Sequence, residues 1–321
     1  MHRAEEIIRD WLLPGAIVFG ISLYLFYRCA TFLHSWGSIL GTAASEGQRL
    51  VIFTLLFFQF VKVSPHDLKI VRWHYKALAF QILSFALLAG LTLLTKGDGR
   101  MLLECAMICL ICPTASAAGV ITERLGGRLD ENVSYLVLIN IAATFLIPMV
   151  IPLIRPSAEL GFWAYVGHLA LKVFPMLILP SALAWTIRYT APRLQRKLMR
   201  LSRHAFYVWG VGLTLAMVMS TRALLVSHLG AGAIAMIVGV SMAACFGQFL
   251  LGRLSEKDRI ESLTAGQAMG QKNTGFMIWL GFNYLTPVTS VAGGLYAIWQ
   301  NLFNSWELYR KEHPKGPSAK E

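Results

Sequence analysis

Two stretches decide how this chain is read. The first is Cys112-Pro113-Thr114-Ala115-Ser116-Ala117-Ala118-Gly119. The second is Thr264-Ala265-Gly266-Gln267-Ala268-Met269-Gly270-Gln271-Lys272-Asn273-Thr274-Gly275. Each lies inside an apolar run, is rich in small and hydroxyl residues, and carries Pro or Gly where a continuous helix would not want it. Unwound backbone at membrane depth survives only where it is buried in protein or lines a wet cavity. Paired broken segments in corresponding places of two halves mark the binding site of a carrier. The two stretches are about 155 residues apart, close to half of the 321-residue chain. The competing reading makes both of them small-residue packing faces of intact helices.

The rest of the sequence sets the solvent. The chain is 56% hydrophobic and only 14% charged, against about 25% charged residues in a soluble domain. A disordered chain needs the opposite balance, and the alternating ten-residue segments of an outer-membrane barrel are absent. An all-α polytopic membrane protein is expected. At about 20 apolar residues per crossing, ten spans fit, at 11–28, 47–63, 75–95, 101–122, 132–154, 162–188, 204–224, 231–252, 260–281 and 284–306. The broken stretches then fall in span four and span nine, each the fourth of five. Because five is odd, repeat two (162–306) inserts upside down relative to repeat one (11–154), and 307–321 is left as a cytoplasmic tail.

Charge gives the orientation. With the N-terminus inside, about 21 of the 29 Lys and Arg residues fall in inner segments, which places both termini in the cytoplasm. The net charge of +12 thus reports insertion, and no nucleic-acid partner is expected. The partners expected are the lipid bilayer and an organic anion. The densest basic run, Arg193 to Arg203, reads as a cytoplasmic anchor able to touch anionic lipid. Cys109-x-x-Cys112 has redox or metal spacing, but a lone pair in an apolar segment is read as packing. The eight histidines show no metal spacing.

At these residues the chain resembles the bile acid:sodium symporter family, as a divergent, bacterial-type member. Cys112-Pro113-Thr114-Ala115-Ser116-Ala117 is similar to that family's Cys-Pro-Gly-Gly-Thr-Ala-Ser-Asn, and Ala268-Met269-Gly270-Gln271-Lys272-Asn273-Thr274-Gly275 to its Glu-x-Gly-Met-Gln-Asn-[Ser/Thr]-Gly. Ile298-Trp299-Gln300-Asn301-Leu302 resembles its Trp-His-Asn-Leu. Phe60-Val61-Lys62-Val63-Ser64-Pro65-His66-Asp67-Leu68 resembles its Ser-Pro-x-Asp turn. The resemblance implies a core of spans 3–5 and 8–10, a panel of spans 1, 2, 6 and 7, and crossing helices in spans four and nine. It implies alternating access and a bacterial inner (plasma) membrane. It also implies that Thr114, Ala118, Asn273, Gln300 and Asn301 face the substrate. Half-helix N-termini suit an anion.

The ion site departs from the family pattern. Its acidic ligand falls at Ala268, its fourth-span asparagine at Ala117, and the glutamine before its ninth-span asparagine at Lys272. A charged lysine at mid-membrane costs roughly 2.5–3.5 kcal/mol and is a functional candidate by default. Lys272 is therefore expected to act as a built-in cation, with proton coupling through it as a variant. In the competing readings Lys272 snorkels to water or pairs with Glu261, or Gln267, Gln271, Ser116 and Thr274 build a sodium site. Asn140 and Thr144 are expected to face the crossing. No other cofactor is expected. An integral-membrane enzyme needs a set of acids, histidines or a metal cluster that the spans lack, so enzymatic activity is not expected. A sensor built on a carrier fold is the remaining rival.

Overall fold

The computed structural model describes residues 2–227 and 229–313, with residues 2–14 and 312 described by backbone alone. The described residues form fourteen α-helices joined by short turns: α1 (His2–Cys29), α2 (Gly37–Lys62), α3 (Arg72–Leu94), α4 (Gly97–Ile111), α5 (Ala118–Leu125), α6 (Leu129–Ile154), α7 (Phe162–Leu177), α8 (Leu179–Thr190), α9 (Pro192–Leu201), α10 (Ala205–Val226), α11 (Ala231–Leu254), α12 (Arg259–Gly270), α13 (Thr274–Tyr284) and α14 (Thr289–Glu312). Four helical stretches are long and apolar enough to cross a membrane: Arg72–Leu94, Leu129–Ile154, Pro192–Val226 and Ala231–Leu254. Two bent pairs, Gly15–Cys29 with Thr31–Lys62 and Phe162–Leu177 with Leu179–Thr190, raise the number to six among the described residues. This is an all-helical, membrane-embedded chain. The pieces α4, α5, α12 and α13 hold 15, 8, 12 and 11 residues. At 1.5 Å per residue, none spans a core about 30 Å thick alone.

Local chemistry sets the boundaries. Ser64 and Asp67 form a capping box on the turn after α2, with His66 N–H donating to Ser64 Oγ and Ser64 N–H to Asp67 Oδ2. Asp258 caps α12 by accepting from the N–H groups of Ile260 and Glu261. Gly126 ends α5 at φ 91°, a left-handed turn that other residues resist. Pro175 and Pro180 sit either side of the 43° bend between α7 and α8, as expected where Pro removes ladder hydrogen bonds.

Several expected boundaries move. Helix α2 starts at Gly37, ten residues before the expected span, because its glycines and alanines contain no proline to stop it. Residues 192–201, expected as a loop anchor, form α9. The last span is shifted toward the C-terminus, starting after Pro287 and running to Glu312. Residues 307–312 are therefore helix and not tail, and Glu307 is buried. The rest of the expected tail, 314–321, lies outside the described residues.

The helices pack as two groups joined by α6 on α7 and by α10 on α13 and α14. Helices α3 to α6 and α11 to α14 pack around one another, with α3 on α4 and α6, and α11 on α12, α14 and α4. Helix α10 packs on α1 and α2, and α2 on α7 and α8. Helices α11 and α12 approach closely. A Cβ on Gly252 would meet the backbone of Ala265 and Gly266, and one on Gly270 would meet the Phe249 ring. Gly266 and Gly270, four apart, form the small-xxx-small face that lets membrane helices approach so closely. In the N-terminal half of α4, Glu104 is fully buried and held by Arg155 at 2.7 Å and by Arg100. Lys69 pairs with Asp130 at 2.9 Å and fastens the α2–α3 turn to α6. The hydrogen bond and charge of that carboxylate hold the ammonium above the usual lysine range.

Candidate functional site

The site is built by two helix breaks that meet. Helix α4 stops at Ile111, just before Pro113, which has no N–H to give the ladder, and α12 stops after Gly270. The freed backbone must find partners elsewhere. The two breaks pair with each other as an isolated antiparallel bridge, Thr114 opposite Lys272. Ala115 N–H donates to Gln271 O at 2.9 Å and Asn273 N–H to Pro113 O at 2.8 Å.

Side chains complete the exchange in a reciprocal way. Lys272 Nζ donates to Leu110 O at 3.1 Å, four residues before Thr114. Thr114 Oγ1 donates to Ala268 O at 2.7 Å, four residues before Lys272. Each bridge residue thus caps the carbonyl that its partner's break leaves open. Gln248 Nε2 donates to Cys109 O, which Pro113 leaves free, and Tyr296 OH donates to Gly270 O. Lys272 N–H donates to Gln300 Oε1 at 2.8 Å.

Lys272 is fully buried. It neither snorkels nor pairs with Glu261, whose carboxylate lies against Arg128. Its ammonium sits at the C-terminal end of α4, where the helix dipole is negative and favours a cation.

The opposite ends of the break are the N-termini of α5 and α13. Among the described residues no acceptor meets the N–H groups of Gly119, Val120 or Gly275. Helix α2 lies against both starts. A Cβ on Gly275 would stand 2.5 Å from Gln48 Nε2, and one on Gly119 would stand 3.1 Å from Gln59 Nε2. Gln48 is 1% exposed and its Oε1 has no partner. The crossing therefore carries the Lys272 amine on one side, and free backbone donors with two amides on the other.

The expected site residues divide accordingly. Thr114, Ala118, Gln271, Lys272 and Gln300 are buried at the crossing, and Ser116, Asn273, Thr274 and Asn301 are half-buried there or one turn away. Thr114 spends its hydroxyl proton on Ala268 O. Asn273 caps α13 by accepting from Phe276 N–H, and Asn301 Nδ2 donates to Ala297 O. Gln267 is engaged on both sides, donating to Glu307 and accepting from Gln271.

Asn140 lines a different space. It borders a cavity of about 230 Å³ with Phe60, Leu177, Ile178, Ser181 and Trp185. Thr144 donates to its backbone carbonyl. Neither the N nor the O of the Asn140 amide has a partner. Asn140→Leu is expected to raise stability by about 1 kcal/mol, since an unpartnered buried amide is a cost that an apolar isostere removes. A lowered unfolding midpoint in detergent would show that the amide is satisfied in the membrane. Cys109 and Cys112 are both fully buried free thiols, with Cys109 Sγ 3.8 Å from Met277 Sδ. No three His, Cys, Asp or Glu side chains group to hold a metal among the described residues.

Three residues escaped the sequence reading. Gln48 and Gln59 are amides on α2 whose role depends on the long-range placement of that helix. Glu307 was assigned to the tail, although Gln300, Asn304 and Glu307 share one helical face at the i, i+4, i+7 spacing. Its carboxylate accepts from Arg253 and Gln267. Glu307→Ala is expected to destabilise the chain by about 3 kcal/mol, because it strands a partly buried guanidinium and a buried amide. Chemical unfolding in detergent measures this, and a change under about 0.5 kcal/mol, the usual surface value, would contradict it.

Comparison with known protein families finds no match to this chain, and comparison with curated proteins finds none either.

Proposed function

We propose that this chain is a secondary carrier of organic anions, of the bile acid:sodium symporter type, with Lys272 in place of the coupling sodium. The reciprocal capping of Thr114 and Lys272 carries the reading. Two breaks that cap each other at the same offset are what an inverted repeat produces when its fourth helices cross. The packing supports that repeat. The α3–α4 pairing has its counterpart in α11–α12, α4–α14 in α12–α6, and α5–α6 in α13–α14. On this reading α4 with α5, and α12 with α13, are each one broken span, α1 and α2 cross separately and α14 crosses as well, which brings the crossings to ten with both ends inside. Helices α3–α6 and α11–α14 are the core, and α1, α2, α7, α8 and α10 are the panel.

The packing also suggests the state of the carrier. Helices α2 and α10 both pack on α13, and α10 packs on α14 as well, whereas α5 meets α2 only at its start, beside Gln59, and α6 packs on the panel through α7 and not α8. By the charge asymmetry the α13 end is outer and the α5 end inner, so the crevice opens inward.

Substrate selection follows from the unpaired N–H groups at Gly119, Val120 and Gly275, which favour a carboxylate or sulfate. The buried Lys272 favours a carrier that needs no sodium, driven by substrate exchange or by protons. A stabilisation screen of the purified chain with taurocholate, steroid sulfates and short carboxylates, with and without sodium, tests this. At least one anion is expected to raise the unfolding midpoint equally in sodium and in choline. Stabilisation by none of these anions would count against the reading.

A further inference from the structure

The basic segment after α8 is a dense run of charge with no acidic partner among the described residues. From Leu160 to Ser255 the chain contains no Asp or Glu. Arg193, Arg196, Lys197, Arg200 and Arg203 take part in none of the ion pairs among the described residues. Arg188, in the last turn of α8, has a buried Nε without a partner.

Lys197, Arg200, Leu201, Arg203 and His204 converge on an open cavity of about 380 Å³ at the α9–α10 junction. The level of this junction is fixed by contacts to the end of α2. Gln195 Nε2 donates to Val61 O at 3.3 Å, and Trp185 Nε1 donates to Val63 O at 3.2 Å. Leu194, Met199 and Leu201, interleaved with the cations, are exposed. A short helix that mixes exposed apolar side chains with cations beside a bilayer suits the boundary between head groups and acyl chains. It suits an aqueous partner poorly.

We infer that Lys197, Arg200, Arg203 and His204 form a binding site for the phosphate-bearing head group of an anionic glycerophospholipid in the inner leaflet. Leu194, Met199 and Leu201 would lie along its acyl chains. Charge complementarity selects this occupant, since cations that find no acid in their own chain must meet one outside it. The site lies on the panel, away from the crossing. It would hold α8 to α10 at the inner leaflet while the core moves.

Native mass spectrometry of the full chain, released from micelles doped with dioleoyl phosphatidylglycerol or dioleoyl phosphatidylcholine, tests the site. The wild type is expected to retain phosphatidylglycerol at least tenfold over phosphatidylcholine. The triple variant Lys197→Gln, Arg200→Gln, Arg203→Gln is expected to lose that preference, by on the order of a hundredfold for three surface charges. Lys257→Gln with Arg259→Gln, basic residues elsewhere on the inner face, should leave it intact. If the triple variant does not fold, the charge-retaining pair Arg200→Lys, Arg203→Lys should keep the preference, and molar salt should abolish it in the wild type. Equal retention by the wild type and the triple variant would overturn the inference. So would a preference that survives molar salt, or displacement of the lipid by millimolar inorganic phosphate, which would make this a site for a free anion.

Discussion

Replacing Lys272 with glutamine is expected to make transport dependent on sodium. In the wild type Lys272 Nζ caps Leu110 O at 3.1 Å, and on the proposed reading it supplies the positive charge at the end of α4. Glutamine is neutral and shorter, and it is what the resembled family carries at this place. The freed carbonyl then needs another cation, and an oxygen-lined break is where a small one can sit. Uptake by Lys272→Gln is expected to fall at least tenfold when choline replaces sodium, and to recover when sodium returns. Wild-type uptake should change less than twofold. Lys272→Met, with similar length and no polar group, should lose uptake in both salts. It should also lose about 1–3 kcal/mol of stability, the cost of an unsatisfied buried carbonyl. Equal sodium response in the wild type and Lys272→Gln would remove Lys272 from the coupling scheme.

The second large effect is structural. Gly252→Leu is expected to destabilise the chain by about 3 kcal/mol or more, at the upper end for overpacking a filled contact. A Cβ at Gly252 meets main-chain atoms of Ala265 and Gly266, which cannot rotate away as a side chain would. The two helices would have to part, and α12 carries Gln267 and leads into Lys272. Binding should therefore be lost along with stability. The same helix supplies the control. At Gly239 and Gly247 nothing lies within 4 Å of an added Cβ, so Gly239→Ala and Gly247→Ala should be neutral or slightly stabilising. Thermal unfolding of the three variants in one detergent decides the matter. Similar midpoints for Gly252→Leu and the controls would mean that the glycine-lined approach of α11 and α12 is not under the constraint described.

What was legible in the sequence was local chemistry. Pro113 lacks an N–H and stands in a run of small and hydroxyl residues where α4 ends, and the cluster from Gly270 to Gly275 contains the break after α12. Spans three, five, seven and eight could be placed within a few residues because a long apolar run has few alternatives. The buried Lys272 stood out because charge is rare in this chain.

What stayed hidden depended on distant neighbours. The reach of Lys272 to Leu110 O joins residues 162 apart in sequence, and no periodicity reports it. Glu307 looked like tail because a carboxylate near a C-terminus is ordinarily solvated. It is buried because α14 runs one and a half turns further and meets Arg253 and Gln267. Asn140 sits on the expected helix, but its rotation puts it beside Phe60 and Trp185 and not at the crossing. Helix α9 was legible, with Leu194, Leu198 and Leu201 at the i, i+4, i+7 helical spacing, and it was missed because its dense basic charge was read as a loop anchor.

The most direct test of the central claim is uptake of a labelled organic anion by proteoliposomes in which choline replaces all sodium. The anion would be one that the stabilisation screen identifies. A carrier with a built-in cation predicts saturable uptake driven by the anion or proton gradient, at a rate within twofold of that in sodium. A steep loss of uptake without sodium would contradict it.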